Sequence, residues 1–119
     1  MAHRSVVSKQ LGRLLAVLSH PHRLRIVEEL GSGELDVNAL QALLAISHSG
    51  VSQHLSVLRA HSIAVERRIG RHVHYRLSRP ELASWLMDGL RFIEPERKQM
   101  QEMSSAVRRA RSTWGGREP

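Results

Sequence analysis

The apolar residues of this 119-residue chain change their spacing twice, and these changes limit the folds that the chain can adopt. They recur every three or four positions from residue 7 to residue 58, alternate with polar residues between 65 and 77, and regain helical spacing from 82 to 93. The first spacing is typical of amphipathic helices, whereas alternation is typical of a strand with one buried face. The sequence therefore predicts a mainly α domain with one small β-hairpin, which is an α+β fold.

The first two predicted helices meet at a proline. The first helix ends before His20, because a residue that precedes proline avoids the helical conformation. Pro21 suits the first turn of the second helix, where its missing N–H leaves no hydrogen bond unmade, and Gly31 ends that helix. The apolar stripe of the first helix consists of Val7, Leu11, Leu14, Leu15 and Leu18.

A short helix, a break and a longer helix are predicted between residues 36 and 60. Asp36 is a good N-cap for the third helix, and either Ser47 or Ser49 can cap the fourth. The fourth helix would bury Val51, Leu55 and Leu58, and its outer side would carry Ser49, Gly50, Ser52, Gln53 and Ser56. Such small uncharged side chains suit close contact with base edges and phosphates, although ordinary protein surfaces carry the same residue types.

The alternating segment predicts a β-hairpin whose turn lies at Gly70-Arg71. Glycine can supply the positive φ that a tight turn needs. Four basic or titratable residues come near the tip, namely Arg67, Arg68, Arg71 and His72. Charge there either contacts phosphate or protects an exposed strand edge, and the neighbouring helix-break-helix unit favours phosphate contact.

Charge and the lack of cysteine limit the function further. Eighteen Lys and Arg against eleven Asp and Glu give a net charge of +7, which favours a polyanionic partner such as nucleic acid. Without cysteine there is no thiol nucleophile, disulfide or Cys-ligated zinc, and no phosphate-binding loop or His-Glu-x-x-His motif indicates an enzyme. No apolar run is long enough for a membrane span and no signal peptide is recognisable, so a cytoplasmic protein without a membrane partner is expected.

The two ends of the chain are both amphipathic. Pro80 opens a last predicted helix that runs to Pro95, with an apolar stripe of Leu82, Trp85, Leu86, Leu90 and Ile93. Together with the first helix, it offers more apolar surface than one small core can bury, which predicts a homodimer. The expected organisation is an N-terminal tail (1–8), a domain (9–95) and a basic C-terminal tail (96–119) that is at most partly helical.

Residues 15–93 resemble the ArsR/SmtB family of bacterial winged helix-turn-helix transcriptional regulators. The segments that carry the resemblance are LSHPHRLRIVEEL (18–30), GELDVNAL (33–40) and SHSGVSQHLSVLRAHSIAVERRIGRHVHYRL (47–77). The resemblance implies a dimer, paired through its first and last helices, that places one recognition helix per subunit in successive major grooves of an imperfect inverted repeat. Most members of the family are repressors that an inducer releases from the operator DNA.

By position, the resemblance also implies DNA contacts from the fourth helix and the hairpin wing. The residues concerned are Ser47, His48, Ser49, Ser52, Gln53, His54, Arg67, Arg68, Arg71 and His72. Gln53 is the best candidate for base recognition, because its amide can pair with N6 and N7 of adenine. His54 either lies near phosphate or packs against protein, and the wing arginines would hold the flanking backbone or minor groove.

The effector is expected to differ from that of the thiol-based metal sensors in this family. Where those members read ELCVC, this chain has Asp36 and Asn38 at the thiolate positions, and residues 80–95 contain no histidine for a zinc site on the last helix. The pairs His20/His22 and His72/His74 each supply only two imidazoles, which favours a structural or DNA-facing role. His3, with the chain's own amine, could bind square-planar Ni(II), although a simple tail is the other interpretation.

DNA binding is therefore expected to need no cofactor, and the effector is either a divalent metal, such as nickel or zinc, or a non-metal signal. An alternative function is a winged-helix module that binds another protein through its C-terminal region and has only non-specific affinity for DNA.

Overall fold

A computed structural model describes residues 2–93 and 97–116. In chain order the elements are α1 (Ala2–Val17), α2 (Pro21–Leu30), β1 (Leu35–Asp36), α3 (Val37–Leu44), α4 (His48–Ala60), β2 (Ala64–Ile69), β3 (His72–Leu77), α5 (Glu81–Asp88), a 3-10 helix (Gly89–Phe92) and α6 (Arg97–Gly116). The fold is mostly helical with a small antiparallel sheet, which confirms the predicted α+β class and the winged helix-turn-helix arrangement.

Side-chain caps determine where the helix-turn-helix begins and turns. Asp36 accepts a hydrogen bond from the third N–H of α3 at 2.8 Å. Ser47 Oγ accepts from the N–H of Gly50 at 3.0 Å, so Ser47, not Ser49, is the N-cap of α4. Between the two helices Ala45 adopts the left-handed conformation with φ 57°, which ends α3 and redirects the chain.

The wing is the predicted hairpin. β2 and β3 pair in antiparallel register from Ala64 opposite Leu77 to Ile69 opposite His72, which leaves a two-residue turn. Gly70 occupies the first turn position with φ +60°, the conformation that favours glycine over other residues.

The sheet has a third strand that the sequence did not predict. β1 pairs with β3 through Leu35 opposite Tyr75 and Asp36 opposite His74, which gives the order β1-β3-β2. A strand of two residues has no alternation to detect, and its pairing depends on a partner about forty residues away in the chain.

The core fixes α4 against the other helices. Val51, Leu55 and Leu58 are at most 1% exposed, as their spacing predicts. The other fully buried apolar side chains with at most 2% exposure come from α2, α3 and the start and end of the hairpin: Ile26, Val27, Leu30, Leu40, Ala64 and Leu77. Burial on this scale makes α4 a rigid platform for the residues on its outer side.

The ends of the chain differ from the expected organisation. Helix α1 begins at Ala2, so residues 2–8, expected to be a tail, continue the first helix, because no glycine or proline interrupts them. At the other end, the helix expected within the basic C-terminal segment is present, and it is long: residues 97–116 form the single helix α6. Met1, residues 94–96 and residues 117–119 lie outside the described residues.

The last predicted helix is shorter than its apolar stripe. α5 ends at Asp88, and a 3-10 helix follows from Gly89, a residue with low helix propensity. Ile93 is already extended, so the helix does not reach the expected end at Pro95, which itself lies outside the described residues.

Candidate nucleic-acid interface

The outer side of α4 is uncharged and exposed. Because successive helical residues turn by about 100°, Ser49, Gln53 and Ser56 lie opposite the buried side of the helix, and all three are exposed. Ser52 lies half-buried on one flank. This surface therefore offers hydroxyl and amide groups on a rigid helix, with no charged side chain among them.

The start of α4 combines a cap with a potential anion contact. The hydroxyls of Ser47 and Ser49 lie 3.2 Å apart, and His48 is exposed in the first turn. Ser47 Oγ already accepts the capping hydrogen bond, but its O–H can still donate to a second acceptor. The first turn of a helix also attracts phosphate through its dipole and its unpaired N–H groups.

The three wing arginines are not equivalent. Arg67 Nη2 donates to Glu34 Oε1 at 2.6 Å, which ties the wing to the segment before β1. Within the described part of the chain, Arg68 and Arg71 form no ion pair, and both are exposed. Arg68 and Arg71, together with the exposed His72 beside the turn, are thus the wing residues most available to an external phosphate.

The hydrogen bond from Arg67 holds the pKa of the Glu34 carboxyl below its ordinary value of 4.5. The nearby charges of Arg67, His74 and Arg76 act in the same direction. Glu34 therefore remains ionised and keeps Arg67 paired over a wider pH range than an isolated glutamate would.

His54 does not lie on the outer side of α4. It is half-buried on the flank that faces the start of α2, where its ring centroid is 4.4 Å from that of His20 and 5.6 Å from that of His22. Arg23 Nε donates to His54 Nδ1 at 3.3 Å. Burial, with help from His20, Arg23 and His22, lowers the pKa of His54 below its ordinary value of 6.5.

One nitrogen from each of His20, His22 and His54 lies within 4.8 Å of the others. The sequence predicts the pair His20/His22 and a DNA contact or packed residue at His54, but it does not predict that the three meet. The position of His54 next to the buried Leu55 was the available signal, because it places the side chain on an inner flank of α4.

The other proposed metal ligands remain apart. His3 lies exposed in the first turn of α1, and among the described residues it belongs to no group of three or more potential ligands. His72 and His74 share one face of β3 with ring centroids 6.5 Å apart, but they too lack a third ligand within the described residues.

Two exposed apolar surfaces lie on α1 and near the end of α5. Each side chain concerned is between 47% and 76% exposed: Val6, Val7, Leu11 and Leu15 on α1, and Trp85, Phe92 and Ile93 in or after α5. Groups of exposed apolar side chains are common at protein interfaces. None of the described helices combines the length and the hydrophobicity needed to cross a lipid bilayer.

The sequence of this chain is similar to those of known proteins. The family described as "Helix-turn-helix domain" matches residues 18–68. A "Transcriptional repressor SmtB homolog" from Synechocystis is 37% identical over 71 residues, which are 60% of this chain and 54% of that protein. The "Biofilm growth-associated repressor" of Xylella fastidiosa is 37% identical over 76 residues, or 64% of this chain and 67% of that protein. The aligned segment thus spans between about half and two thirds of these relatives.

The same fold occurs in a solved structure. The crystal structure of the transcriptional repressor BigR from Xylella fastidiosa superposes with a TM-score of 0.66 at 30% sequence identity. The superposition covers 77% of this chain and 91% of that one.

Proposed function

This chain belongs to the ArsR/SmtB family of winged helix-turn-helix transcriptional regulators, and we propose that it is a dimeric repressor that binds an imperfect inverted repeat in a promoter. The observation that carries the proposal is the exposed, uncharged side of α4 together with the wing residues Arg68 and Arg71, which form no ion pair with the described part of the chain. Base recognition and phosphate attraction are thereby assigned to different elements. The proposal places the protein in the cytoplasm and assigns it no catalytic activity.

In the proposed complex, α4 lies in the major groove with Gln53 toward the base edges. A glutamine amide can donate and accept at once, and this pattern matches N6 and N7 of adenine. Ser49 and Ser52 approach neighbouring bases or sugars, while Ser47 and His48 at the helix start approach a phosphate. His54 contributes indirectly, because it lies on the flank of α4 that faces α2.

The wing supplies affinity. Arg68, Arg71 and His72 lie on or beside the turn, where they can reach the backbone or minor groove flanking the site of α4. Arg67 would have to exchange its bond with Glu34 for a phosphate, so its net contribution is smaller.

The dimer is proposed to form through α1 and α5, the first and last helices of the predicted domain 9–95. The exposed apolar side chains on α1 and around Trp85 would be buried against a second copy. A two-fold dimer places its two α4 helices in grooves on one side of the duplex, about 34–36 Å apart, which is why the operator is expected to be an inverted repeat.

The proposed effector is not bound by thiolates, since the chain has no cysteine. Asp36 stands at one thiolate position of the thiol-based sensors and already caps α3. The remaining candidates are a divalent metal held by histidine, with nickel at His3 as the expectation from sequence, and a non-metal signal. DNA binding itself is proposed to need no cofactor.

Selection from a randomised duplex library, followed by a gel-shift titration, tests this function. We expect an enriched inverted repeat that gives one discrete complex, with two chains per duplex, in the presence of excess random DNA. Failure to enrich any sequence, or complete competition by random duplex, would contradict sequence-specific regulation and favour a module with only charge-driven DNA affinity.

A further inference from the structure

Three imidazoles meet where the start of α2 contacts α4. His20 precedes α2, His22 lies in its first turn, and His54 comes from the middle of α4. Their ring centroids are 4.4 to 5.6 Å apart, and one nitrogen of each lies within 4.8 Å of the other two. Among the residues that the structure describes, no other three potential metal ligands lie this close.

We propose that His20, His22 and His54 form a binding site for one divalent ion of the zinc class, with water as the remaining ligand. Imidazole is a preferred ligand of Zn(II), Ni(II) and Cu(II), and three protein ligands plus water are a common tetrahedral set for zinc. Zn–N bonds of about 2.0–2.1 Å require ligand nitrogens about 3.3 Å apart. The ligand nitrogens of the present cluster would have to approach one another by up to about 1.5 Å to reach that spacing.

An ion would bind the three histidines in their neutral form, because only a neutral imidazole has a lone pair to donate. His20 is exposed and His22 is half-buried, so an ion can reach the cluster from solvent.

The ion has to compete with two hydrogen-bond donors. The backbone N–H of His22 donates to His20 Nδ1 at 3.1 Å, and the side-chain Nε of Arg23 donates to His54 Nδ1. Because a neutral imidazole has a single free lone pair, an ion that takes it displaces these donors. Arg23 also repels a cation, so its positive charge lowers the affinity of the site for the ion. No carboxylate belongs to the group of ligands within the described residues.

The location of the site allows a bound ion to regulate DNA binding. This step rests on the proposed DNA-binding function. His54 directly precedes Leu55 and follows Gln53, the proposed base-reading residue. An ion shared by His20, His22 and His54 would link the start of α2 to the middle of α4. Any change in the position or mobility of α4 would then couple metal binding to DNA binding in both directions.

The test uses untagged full-length protein without DNA, so that it is independent of the proposed function. Zn(II) is titrated by calorimetry, and Co(II) is used as a spectroscopic substitute whose visible absorption reports four-coordinate geometry. The variants are His22→Gln, which removes one ligand, and two matched controls, His61→Gln at the exposed end of α4 and His3→Gln at the N-terminus. Thermal unfolding of each variant verifies that it is folded.

We expect one ion per chain in the wild type and in both controls, and at least a tenfold weaker affinity with loss of the Co(II) bands in His22→Gln. If the three histidines only pack against one another, the wild type will bind no Zn(II), and that result would overturn the proposal. Unchanged affinity in folded His22→Gln, or loss of binding in His3→Gln, would overturn it as well.

A second measurement covers the case in which His22→Gln does not fold. In nitrogen-15 spectra of the wild-type imidazoles, Zn(II) should shift the ring resonances of His20, His22 and His54 and leave those of His61 and His72 unchanged. Shifts confined to other histidines, or none at all, would overturn the proposal. If the protein selects an operator but binds no metal, the metal site is ruled out and the proposed DNA-binding function still stands.

Discussion

Gln53 is the residue on which sequence discrimination is expected to depend. It is exposed on the side of α4 opposite the core, among the uncharged side chains of Ser49, Ser52 and Ser56. Gln53→Ala should weaken binding to the selected operator by about 1–3 kcal/mol, the discrimination that a good bidentate base contact supplies. Its affinity for random duplex should not change, because no phosphate contact is lost.

Competition titrations with the operator and with single-base variants of it measure this effect. Gln101→Ala, at an exposed glutamine of α6, is the matched control and should behave like the wild type. If Gln53→Ala keeps the full base preference, α4 does not dock with this side toward the bases.

Two wing arginines that look alike in the sequence should behave differently. Arg71 has no ion pair among the described residues. Arg71→Ala should therefore weaken binding to operator and random DNA alike and reduce the salt slope by about 0.9, the value for one lost phosphate contact. Arg67 is already bonded to Glu34, so Arg67→Ala should change the slope less. Anisotropy titrations at several salt concentrations measure both slopes. Equal losses would mean that Arg67 leaves Glu34 when DNA binds.

Single residues also show where prediction from sequence ends. The roles of Asp36 and Gly70 follow from rules for caps and turns that involve only near neighbours, and the structure confirms them. The same rules allow Ser47 or Ser49 as the N-cap of α4, and the structure selects Ser47. The bond between Arg67 and Glu34 joins residues 33 positions apart, and His54 lies as far from its partners in the chain. Contacts at such separations depend on the packed fold, which no local pattern encodes.

At the scale of elements, the ion pair between Glu34 and Arg67 joins the segment before β1 to the wing. Glu34 has a lowered pKa, so the unfolded chain takes up its proton at a higher pH than the folded chain does. The contribution of Glu34 to the free energy of unfolding is therefore complete above its ordinary pKa of 4.5 and is lost as the pH falls through the lowered pKa.

Glu34→Gln should accordingly be less stable than the wild type near neutral pH, and the difference should shrink as the pH falls below that ordinary value. Urea unfolding over a pH series measures the difference. Glu81→Gln is the matched control, because Glu81 pairs with Arg79 in a much more exposed position. Equal stability of Glu34→Gln and the wild type at neutral pH would show that the pair contributes nothing to folding.

The long elements were predictable and the short one was not. Helix α4 and the hairpin each contain several repeats of one spacing, so their type and buried side could be inferred before any contact was known. β1 contains one residue for each face, and only its pairing with Tyr75 and His74 makes it a strand. The end of α5 was misplaced because the apolar stripe continues beyond Gly89, where the backbone changes to a 3-10 helix.

At the scale of the whole molecule, the chain is less compact than a closed domain of the same length. The radius of gyration is 15.8 Å, whereas a compact domain of this length would have about 13.5 Å. The excess agrees with helices that are incompletely packed, since α1 exposes Val7, Leu11 and Leu15 by about half or more. A second copy that covered this stripe would remove the apolar surface from water and fix the position of one α4 helix relative to the other.

A single charge in the α1 stripe should therefore separate dimer formation from folding. Leu11 is 47% exposed in the chain alone, so Leu11→Glu should leave the fold intact but disfavour burial against a second copy, because a carboxylate would lose its hydration there. Ser5→Glu adds the same charge about 120° around α1 from Leu11, away from the stripe of Leu11 and Leu15, and should remain dimeric. Sedimentation velocity measures the mass, and a gel shift measures operator affinity. We expect Leu11→Glu to be monomeric and to bind the inverted repeat only as tightly as one half-site. If Leu11→Glu stays dimeric and keeps full affinity, the dimer forms through another surface, and the exposed residues around Trp85 become the next to test.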